Sequence, residues 1–153
     1  MVKLALQDQQ NAGIDVVIGG LIRWNDAVSH LAGKVGGTRI DGLMRFFDTN
    51  FYVRQPVVQG KIEPSRPLVV NEFEGAAQRS ASPAKPILMG PYTHTQLSLG
   101  DGEGGNPDAL RQSYAEALGA EIRKEVEALI RAGCEIIQID EPAISVRTNC
   151  RRR

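Results

Sequence analysis

The stretch "CEIIQIDEPAIS", Cys134 to Ser145, decides the fold. Its isoleucine-rich run predicts a buried β-strand, because β-branched side chains pack well on a pleated surface. Asp140 and Glu141 follow the run at once, and Pro142 stops any helix that includes them. Two ionised carboxylates side by side repel each other, so they need a cation, a metal or an ammonium group nearby. The stretch therefore predicts a strand with a polar site at its carboxyl end.

A long amphipathic helix precedes this strand. Pro107 opens it, Arg131 lies in its last turn, and Gly133 ends it. Apolar residues recur along it at helical spacing, namely Tyr114, Leu118, Ile122, Val126, Leu129 and Ile130. A helix that leads directly into an apolar strand is typical of a parallel α/β sheet.

Two further apolar runs end in the same way. "GIDVVIGG", residues 13–20, predicts a buried strand after a helix at residues 2–12, and Pro86–Met89 predicts another before Gly90 and Pro91. Alternating helices and strands favour an α/β fold with a parallel sheet, either doubly wound or a barrel. In both folds functional groups collect at the carboxyl ends of the strands.

The segment between these runs is less regular. Asn25 or Asp26 is a candidate cap for a short helix that follows, and Asn71 is a candidate cap for another. Residues 42–62 alternate enough to predict strands or a hairpin. Their aromatic residues could line a pocket, although aromatic residues on strands more often belong to a core.

Composition excludes several classes of protein. The 153 residues carry 18 basic and 18 acidic side chains, so no net field favours nucleic acid or an anionic membrane. No apolar run has the length of a membrane span, and the N-terminus has no signal-peptide core. We expect a soluble cytoplasmic protein, with a flexible glycine-rich loop at residues 99–108 and a solvated tail at residues 151–153.

Each candidate site residue has a structural alternative. Asp140 and Glu141 could instead cap the next helix or pair with an arginine such as Arg23 or Arg45. His94, which follows the second strand, could carry a proton, but a lone loop histidine is more often simply hydrogen-bonded. Cys134 and Cys150 lie far apart with no histidine near either in the sequence, so we expect no zinc site in this chain.

Three motifs together resemble one enzyme family. "AGIDVVIGGLIRWNDAV", "PILMGPYTHTQLS" and "AGCEIIQIDEPAIS" occur in the order found in the catalytic barrel of cobalamin-independent methionine synthase and its single-barrel relatives. The Ile-Asp-Glu-Pro-Ala motif is the most specific of the three. The resemblance implies methyl transfer to the thiol of homocysteine, which gives methionine and uses a catalytic zinc ion that lowers the thiol pKa.

The resemblance also assigns residues. Asp140 falls on the aspartate that holds the homocysteine ammonium group, with Glu141 in a supporting role, and Ser98 falls on a serine that follows the Gly-Pro strand end. We expect His94, Asn25 and Asp26 near the same pocket. No residue of this chain is predicted to be catalytic.

Three positions depart from the family pattern. The zinc ligands of the family follow the Asp-Glu-Pro motif by some distance, and no His-x-Cys segment follows it here. Leu21 stands where larger members have a glutamate that helps to bind the substrate amine. Leu97 stands where folate-using members have a tryptophan, so a methylcorrinoid donor, delivered by a corrinoid protein, suits this sequence better than methyltetrahydrofolate.

These observations predict an incomplete domain. We expect residues 1–153 to form a single partial TIM (β/α)8 barrel, roughly strands two to five, because a whole barrel needs about 250 residues. We expect the isolated chain to be inactive and marginally stable, and to dimerise, aggregate or require a complementary C-terminal half. The alternatives are a non-catalytic remnant or binding and assembly module and, less favoured, a uroporphyrinogen decarboxylase-like enzyme.

Overall fold

Helices and strands alternate through the computed structural model, which describes residues 1–64, 66–100 and 107–146. The predictions made for the centre of the glycine-rich loop, for Cys150 and for the arginine tail lie outside these residues. The helices are α1 Val2–Asn11, α2 Ala27–Ala32, α3 Val70–Ala77, α4 Pro91–Gln96, α5 Pro107–Arg131 and α6 Pro142–Ser145. The strands are β1 Val35–Arg45, β2 Tyr52–Pro64, β3 Ile87–Met89, β4 Leu99–Gly100 and β5 Gln138–Asp140.

A parallel pair of strands lies at the centre of the α/β arrangement. β3 pairs with β5 in parallel, with Ile87 opposite Gln138 and Met89 opposite Asp140. The predictions of strands at Pro86–Met89 and before Asp140 are therefore confirmed. Because the pair is parallel, the carboxyl ends of both strands meet at the same edge, where Gly90 and Asp140 lie side by side.

The first apolar run contributes less than expected. Val17 forms a single parallel bridge with Ala84, in which its N–H donates to Pro83 O and its carbonyl accepts from Lys85 N, both at 2.9 Å. The predicted strand over residues 14–18 is thus reduced to one bridged residue. Gly20 has φ +79°, a left-handed conformation that ends the extended run.

The hairpin prediction is confirmed, but the hairpin lies outside the parallel array. β1 and β2 pair antiparallel, and β4 adds to β2 in parallel to make a separate three-stranded sheet. The hairpin also begins at Val35, earlier than the sequence pattern indicated. Among the described residues the parallel array therefore has three segments, Val17, β3 and β5, rather than the four strands expected.

Helix α5 covers the core as its spacing predicted. Tyr114, Leu118, Ile122 and Leu129 are buried against α2, β2 and β3 residues. Burial of each such leucine stabilises the fold by about 1.5–3 kcal/mol. Ile130 was predicted to share this face, but it is 60% exposed.

The start of α3 is capped by a residue distant in sequence. Asn71 is not its cap, because the helix begins after Val69. The backbone N–H groups of Val69 and Val70 both donate to Glu125 Oε1, at 2.6 Å each. Glu125 lies in the middle of α5 and is buried, so its carboxylate is held by the helix terminus it caps.

Candidate functional site

A cavity of about 600 Å³ lies at the carboxyl ends of β3 and β5. Met89 and Asp140 supply its floor from the parallel strands, and Trp24 and Leu21 border it from the loop after Val17. The hairpin adds an aromatic wall. This is the strand end at which the sequence placed a site.

Asp140 borders this cavity and uses only one of its carboxylate oxygens in a hydrogen bond to a described residue. Gln138 Nε2 donates to Asp140 Oδ1 at 2.8 Å, whereas Oδ2 has no hydrogen-bond partner among the described residues. The side chain is only partly buried. The hydrogen bond to Oδ1 therefore orients the Asp140 side chain, while Oδ2 can accept a further hydrogen bond. An ammonium group is a suitable donor for such an oxygen.

Glu141 faces the other way and caps a helix. Its Oε1 accepts from Tyr92 N at 3.0 Å and its Oε2 accepts from Thr93 N at 2.7 Å, so both oxygens bind the N-terminus of α4. The helix dipole stabilises its charge there. Glu141 also borders the cavity, but both of its oxygens are bound by α4, so the two adjacent carboxylates have different partners. The predicted arginine partners, Arg23 and Arg45, form no ion pair with either carboxylate in the described part of the chain.

Gly90 explains the Gly-Pro strand end. A Cβ atom at this position would lie 2.1 Å from Glu141 Oε1, so only glycine lets the carboxylate reach α4. Gly90 N donates to Asp140 O at 2.8 Å, and Ala143 N donates to Thr93 Oγ1 at 3.1 Å. These contacts fix the two strand ends to each other beside the cavity.

Asp26 lines the cavity but its oxygens are occupied. Oδ1 accepts from Val28 N and Ser29 N at 3.0 and 2.7 Å, which confirms Asp26 as the cap of α2. Oδ2 accepts from Ser29 Oγ at 2.7 Å and from Arg54 N at 3.1 Å. Asn25 is exposed and does not line the cavity. The assignment of Asn25 and Asp26 to a binding pocket stays a prediction. In the structure the carboxylate of Asp26 caps α2.

His94 and Ser98 lie in the core rather than at the cavity. His94 Nε2 is 2.9 Å from Val28 O, and because a carbonyl only accepts, this nitrogen carries the proton and Nδ1 accepts from Tyr114 Oη at 2.8 Å. Burial lowers the pKa of His94 to about 4, so the ring is neutral, and burial raises the pKa of Tyr114. Ser98 Oγ donates to His94 O at 2.7 Å. Ser98 does not line the cavity at the ends of β3 and β5.

Two of the hairpin aromatics border the cavity, and one of them, Phe46, also packs against the core. Phe46 and Phe51 meet edge to face with ring centroids 5.9 Å apart, and both border the cavity. Phe51 is 55% exposed. The sequence left a pocket role open for these residues, and the structure favours that alternative over full burial.

A polar cluster around Glu72 was not anticipated. Trp24 Nε1 donates to Glu72 Oε2 at 2.7 Å, while His30 Nε2 and Lys34 Nζ lie 2.8 and 2.6 Å from Glu72 Oε1. Burial opposes ionisation of Glu72, but these hydrogen bonds outweigh it and lower its pKa to about 2. The cluster fixes Trp24 between the cavity and a second cavity of about 460 Å³ beside α1 and α3. Its members come from separate segments, so local patterns could not reveal it.

The described residues do not form a metal site. No three His, Cys, Asp or Glu side chains among them converge closely enough to hold an ion. Cys134 is buried at the start of the β5 segment, its Sγ donates to Ile136 O at 3.2 Å, and burial raises the pKa of its thiol. A zinc ion that needs a thiolate and imidazole set does not fit the groups present.

Among the described residues no helix combines the length and the apolar character needed to cross a membrane.

A cavity at the carboxyl ends of parallel strands is the place where α/β proteins commonly bind small molecules. The family described as "Cobalamin-independent synthase, Catalytic domain" matches residues 1–153. The chain therefore belongs to the cobalamin-independent synthase catalytic-domain family, as the three motifs indicated.

Named relatives agree with this assignment. The chain is 34% identical over 145 residues to the methionine synthase of Sulfurisphaera tokodaii, covering 94% of this chain and 41% of that protein. It is 33% identical over 140 residues to the 5-methyltetrahydropteroyltriglutamate–homocysteine methyltransferase of Bacillus licheniformis, covering 89% and 17%. The chain thus spans about two fifths or less of the length of these relatives.

Solved structures show the same relationship. The B12-independent methionine synthase from Shewanella sp. W3-18-1, in complex with selenomethionine, superimposes with a TM-score of 0.79 at 27% identity. The match covers 95% of this chain and 42% of that one. A second structure, a vitamin-B12 independent methionine synthase homologue from Listeria monocytogenes, has a TM-score of 0.69 at 17% identity and supports the fold alone.

Proposed function

We propose that this chain contributes the amino-acid-binding half of an enzyme that methylates the thiol of homocysteine to give methionine. Family membership supplies the reaction class. The single observation that carries the assignment is Asp140, which borders the cavity at the end of β5 and whose Oδ2 has no hydrogen-bond partner among the described residues. Homocysteine has one ammonium group, and that group matches this open oxygen.

The physical case for Asp140 rests on charge and on enclosure. An ammonium group that binds a carboxylate forms a charge-assisted hydrogen bond of about 1.5–3 kcal/mol. Trp24, Phe46 and Phe51 wall the cavity with apolar surface, which suits the aliphatic part of the substrate. The Shewanella relative was solved with selenomethionine, an amino acid that carries the same ammonium and carboxylate groups.

Zinc and the methyl donor belong to the complete enzyme. In the family, zinc binds the substrate thiol and makes it a better nucleophile. The described residues offer no ligand set for zinc. The donor is methyltetrahydrofolate or a methylcorrinoid. Leu97 stands where the resemblance places the folate-site tryptophan, and the lack of that aromatic ring favours the corrinoid.

The proposal includes a fold, part of a (β/α)8 barrel, and a cellular location, the cytoplasm. The parallel order of Val17, β3 and β5, with α3 and α5 leading into the strands, fits part of a (β/α)8 barrel. A biosynthetic enzyme of this kind works in the cytoplasm.

Binding of homocysteine to the chain tests the proposal. Titration calorimetry should detect homocysteine but not 4-mercaptobutanoate, which has the same carboxylate and thiol and lacks the amine. Asp140→Asn should weaken homocysteine binding roughly tenfold to a hundredfold. Asp8→Asn, which changes an exposed aspartate on α1, is the matched control and should bind normally. Equal binding of both ligands would remove Asp140 from this role.

A second candidate function is a binding or assembly module without catalysis. The lack of a converging metal-ligand group among the described residues favours it. The same titration repeated with and without zinc separates the two. Zinc-dependent binding of homocysteine by this chain alone would exclude the non-catalytic module.

A further inference from the structure

The two cavities on either side of Trp24 are lined by side chains of opposite charge. Leu21 and Trp24 border both cavities and form the wall between them. The described lining of the 600 Å³ cavity includes the carboxylates of Asp26, Asp140 and Glu141 and no basic side chain. The cavity of about 460 Å³ beside α1 and α3 has the reverse composition, and we call it the basic cavity.

Four basic side chains line the basic cavity. They are Lys3 on α1, Arg23 in the loop before α2, Arg79 just after α3 and Lys85 just before β3. None of the four forms an ion pair with another described residue, and Arg79 donates instead to the carbonyl oxygen of Gly75. Lys85 is partly buried, and its backbone N–H is fixed by a bond to Val17 O. The four positive charges therefore have no carboxylate partner in the described part of the chain.

Glu72 is the one acidic residue in the described lining of the basic cavity, and its charge is already engaged. Its Oε2 accepts from Trp24 Nε1 at 2.7 Å, and its Oε1 lies 2.6 Å from Lys34 Nζ and 2.8 Å from His30 Nε2. Lys34 offsets the charge of Glu72 directly. The basic cavity therefore keeps a positive potential that attracts an anion.

Apolar side chains supply the remainder of the lining. Phe73 and Val69 of the α3 region are buried, and Ile18 and Ile87 border the same cavity from the parallel array. Small-molecule sites are typically apolar cavities of about 300–1,000 Å³ that contain a few polar groups. The basic cavity has this size and this composition. It therefore suits a molecule with an apolar body and an anionic group.

We propose that the basic cavity binds a small organic anion and is a second ligand site, separate from the Asp140 cavity. Arginine and lysine form charge-assisted hydrogen bonds with carboxylate and phosphate groups. A single exposed ion pair contributes little, so the affinity depends on several of the four charges acting together. The inference does not rest on the proposed function, because that function assigns the ammonium group of homocysteine to the other cavity.

Calorimetric titration with three compounds of one shape tests the proposal. 4-Phenylbutanoate, 4-phenylbutanol and 4-phenylbutylamine share an apolar body and differ in charge. The anion should bind at least about tenfold more tightly than the alcohol, and this preference should shrink between about 0.05 M and about 0.5 M salt. Equal affinity for all three compounds, or no binding of the anion, would overturn the proposal.

NMR locates the bound anion. The amides of Gly19 and Gly75, which border the basic cavity alone, should shift when 4-phenylbutanoate binds, whereas the amide of Phe51, which borders the other cavity alone, should not. Shifts at Phe51 without shifts at Gly19 and Gly75 would place the anion in the wrong cavity and refute the assignment.

Variants separate the charges from the apolar contacts. Lys85→Met and Arg23→Gln should each weaken binding of 4-phenylbutanoate by roughly threefold to tenfold and leave binding of the alcohol unchanged. Arg123→Gln, at an exposed position on α5 outside the cavity, removes the same charge and is the control. Circular dichroism checks folding, and Arg23 lies in an exposed loop where substitution leaves the core intact. Undiminished binding of the anion by both variants would contradict the proposal.

Asp140→Asn keeps this test apart from the test of the proposed function. It should weaken homocysteine binding but leave 4-phenylbutanoate binding intact, because Asp140 does not line the basic cavity. Loss of 4-phenylbutanoate binding in Asp140→Asn would show that the anion does not occupy a separate site.

Discussion

Gly90 lies directly against the carboxyl group of Glu141, and this contact decides how two neighbouring carboxylates coexist. Because a Cβ at Gly90 would overlap Glu141 Oε1, the glycine lets Glu141 cap α4 and leaves Asp140 to the cavity. At this scale the sequence predicts a substrate role for Asp140, which stays a prediction, and it does not reveal that Glu141 caps α4. Both residues look equivalent in the motif, and only the position of α4 distinguishes them.

The first residue-scale prediction concerns this contact. Gly90→Ala should destabilise the chain by roughly 2–3 kcal/mol, because the new methyl group displaces Glu141 from its two backbone donors. Urea unfolding measures the change. Gly42→Ala, where an added Cβ meets nothing within 4 Å, is the control. In a Glu141→Ala background the cost of Gly90→Ala should shrink; an additive result would show that the clash lies elsewhere.

The second residue-scale prediction concerns His94 and pH. The unfolded chain binds a proton at His94 below about pH 6.5, whereas the buried ring resists protonation until its pKa of about 4. The contribution of His94 is therefore fully present above pH 6.5 and is lost as the pH falls towards 4, on the order of 3 kcal/mol in total.

NMR titration provides the direct measurement for His94. Its ring should remain neutral at pH 5, with Nε2 protonated and bonded to Val28 O. Urea unfolding should show lower stability at pH 5 than at pH 7, and His94→Gln should reduce that difference. A ring that titrates near pH 6.5 in the native state would disprove the buried, neutral assignment.

At the scale of secondary structure, the spacing of apolar residues predicted the helices and strands that depend on neighbouring residues. It did not predict a helix cap that comes from a residue distant in sequence. The boundaries of α5 follow from Pro107, its apolar spacing and Gly133, and β3 follows from a short apolar run. The cap of α3 could not be found in this way, because Glu125 lies in the second half of α5, 56 residues from Val69 in sequence. The local candidate, Asn71, was the wrong residue.

The cap of α3 yields a testable difference between two substitutions. Glu125→Ala should cost about 2–4 kcal/mol, since it leaves two buried N–H groups without an acceptor. Glu125→Gln keeps one oxygen in place and should cost clearly less. Thermal or urea unfolding measures both, and Glu127→Ala on the same helix serves as the control. Similar losses for the alanine and glutamine variants would show that the oxygen is not the important group.

At the scale of the whole molecule, the α/β class and the strand-end site followed from alternation and from the Asp-Glu-Pro motif. The separate hairpin sheet did not, because strand partners across a loop depend on tertiary packing rather than on local pattern. The β1–β2 hairpin nevertheless brings Phe46 and Phe51 to the cavity, so it contributes to the lining of the candidate site. The Glu72 cluster likewise unites residues from separate segments.

Among the described residues β5 pairs with β3 alone, and Ile136 and Ile139 beside its unpaired side are 44% and 48% exposed. This arrangement predicts the behaviour of the chain in isolation. Exposed isoleucines beside an unpaired strand favour self-association as concentration rises. Dynamic light scattering should show larger particles at high concentration, and Ile136→Lys should suppress them relative to Leu43→Lys. A monodisperse monomer with a high, cooperative melting transition would contradict this expectation.

Trp24 gives the molecule a built-in optical probe. It is the sole tryptophan in the sequence, its indole N–H donates to Glu72, and its ring stacks on His30 at 4.5 Å between the two cavities. All tryptophan emission from this chain therefore originates beside the Asp140 cavity. Entry of a ligand, or rearrangement of the Glu72 cluster, can be followed by the intensity and wavelength of that emission without attaching any label.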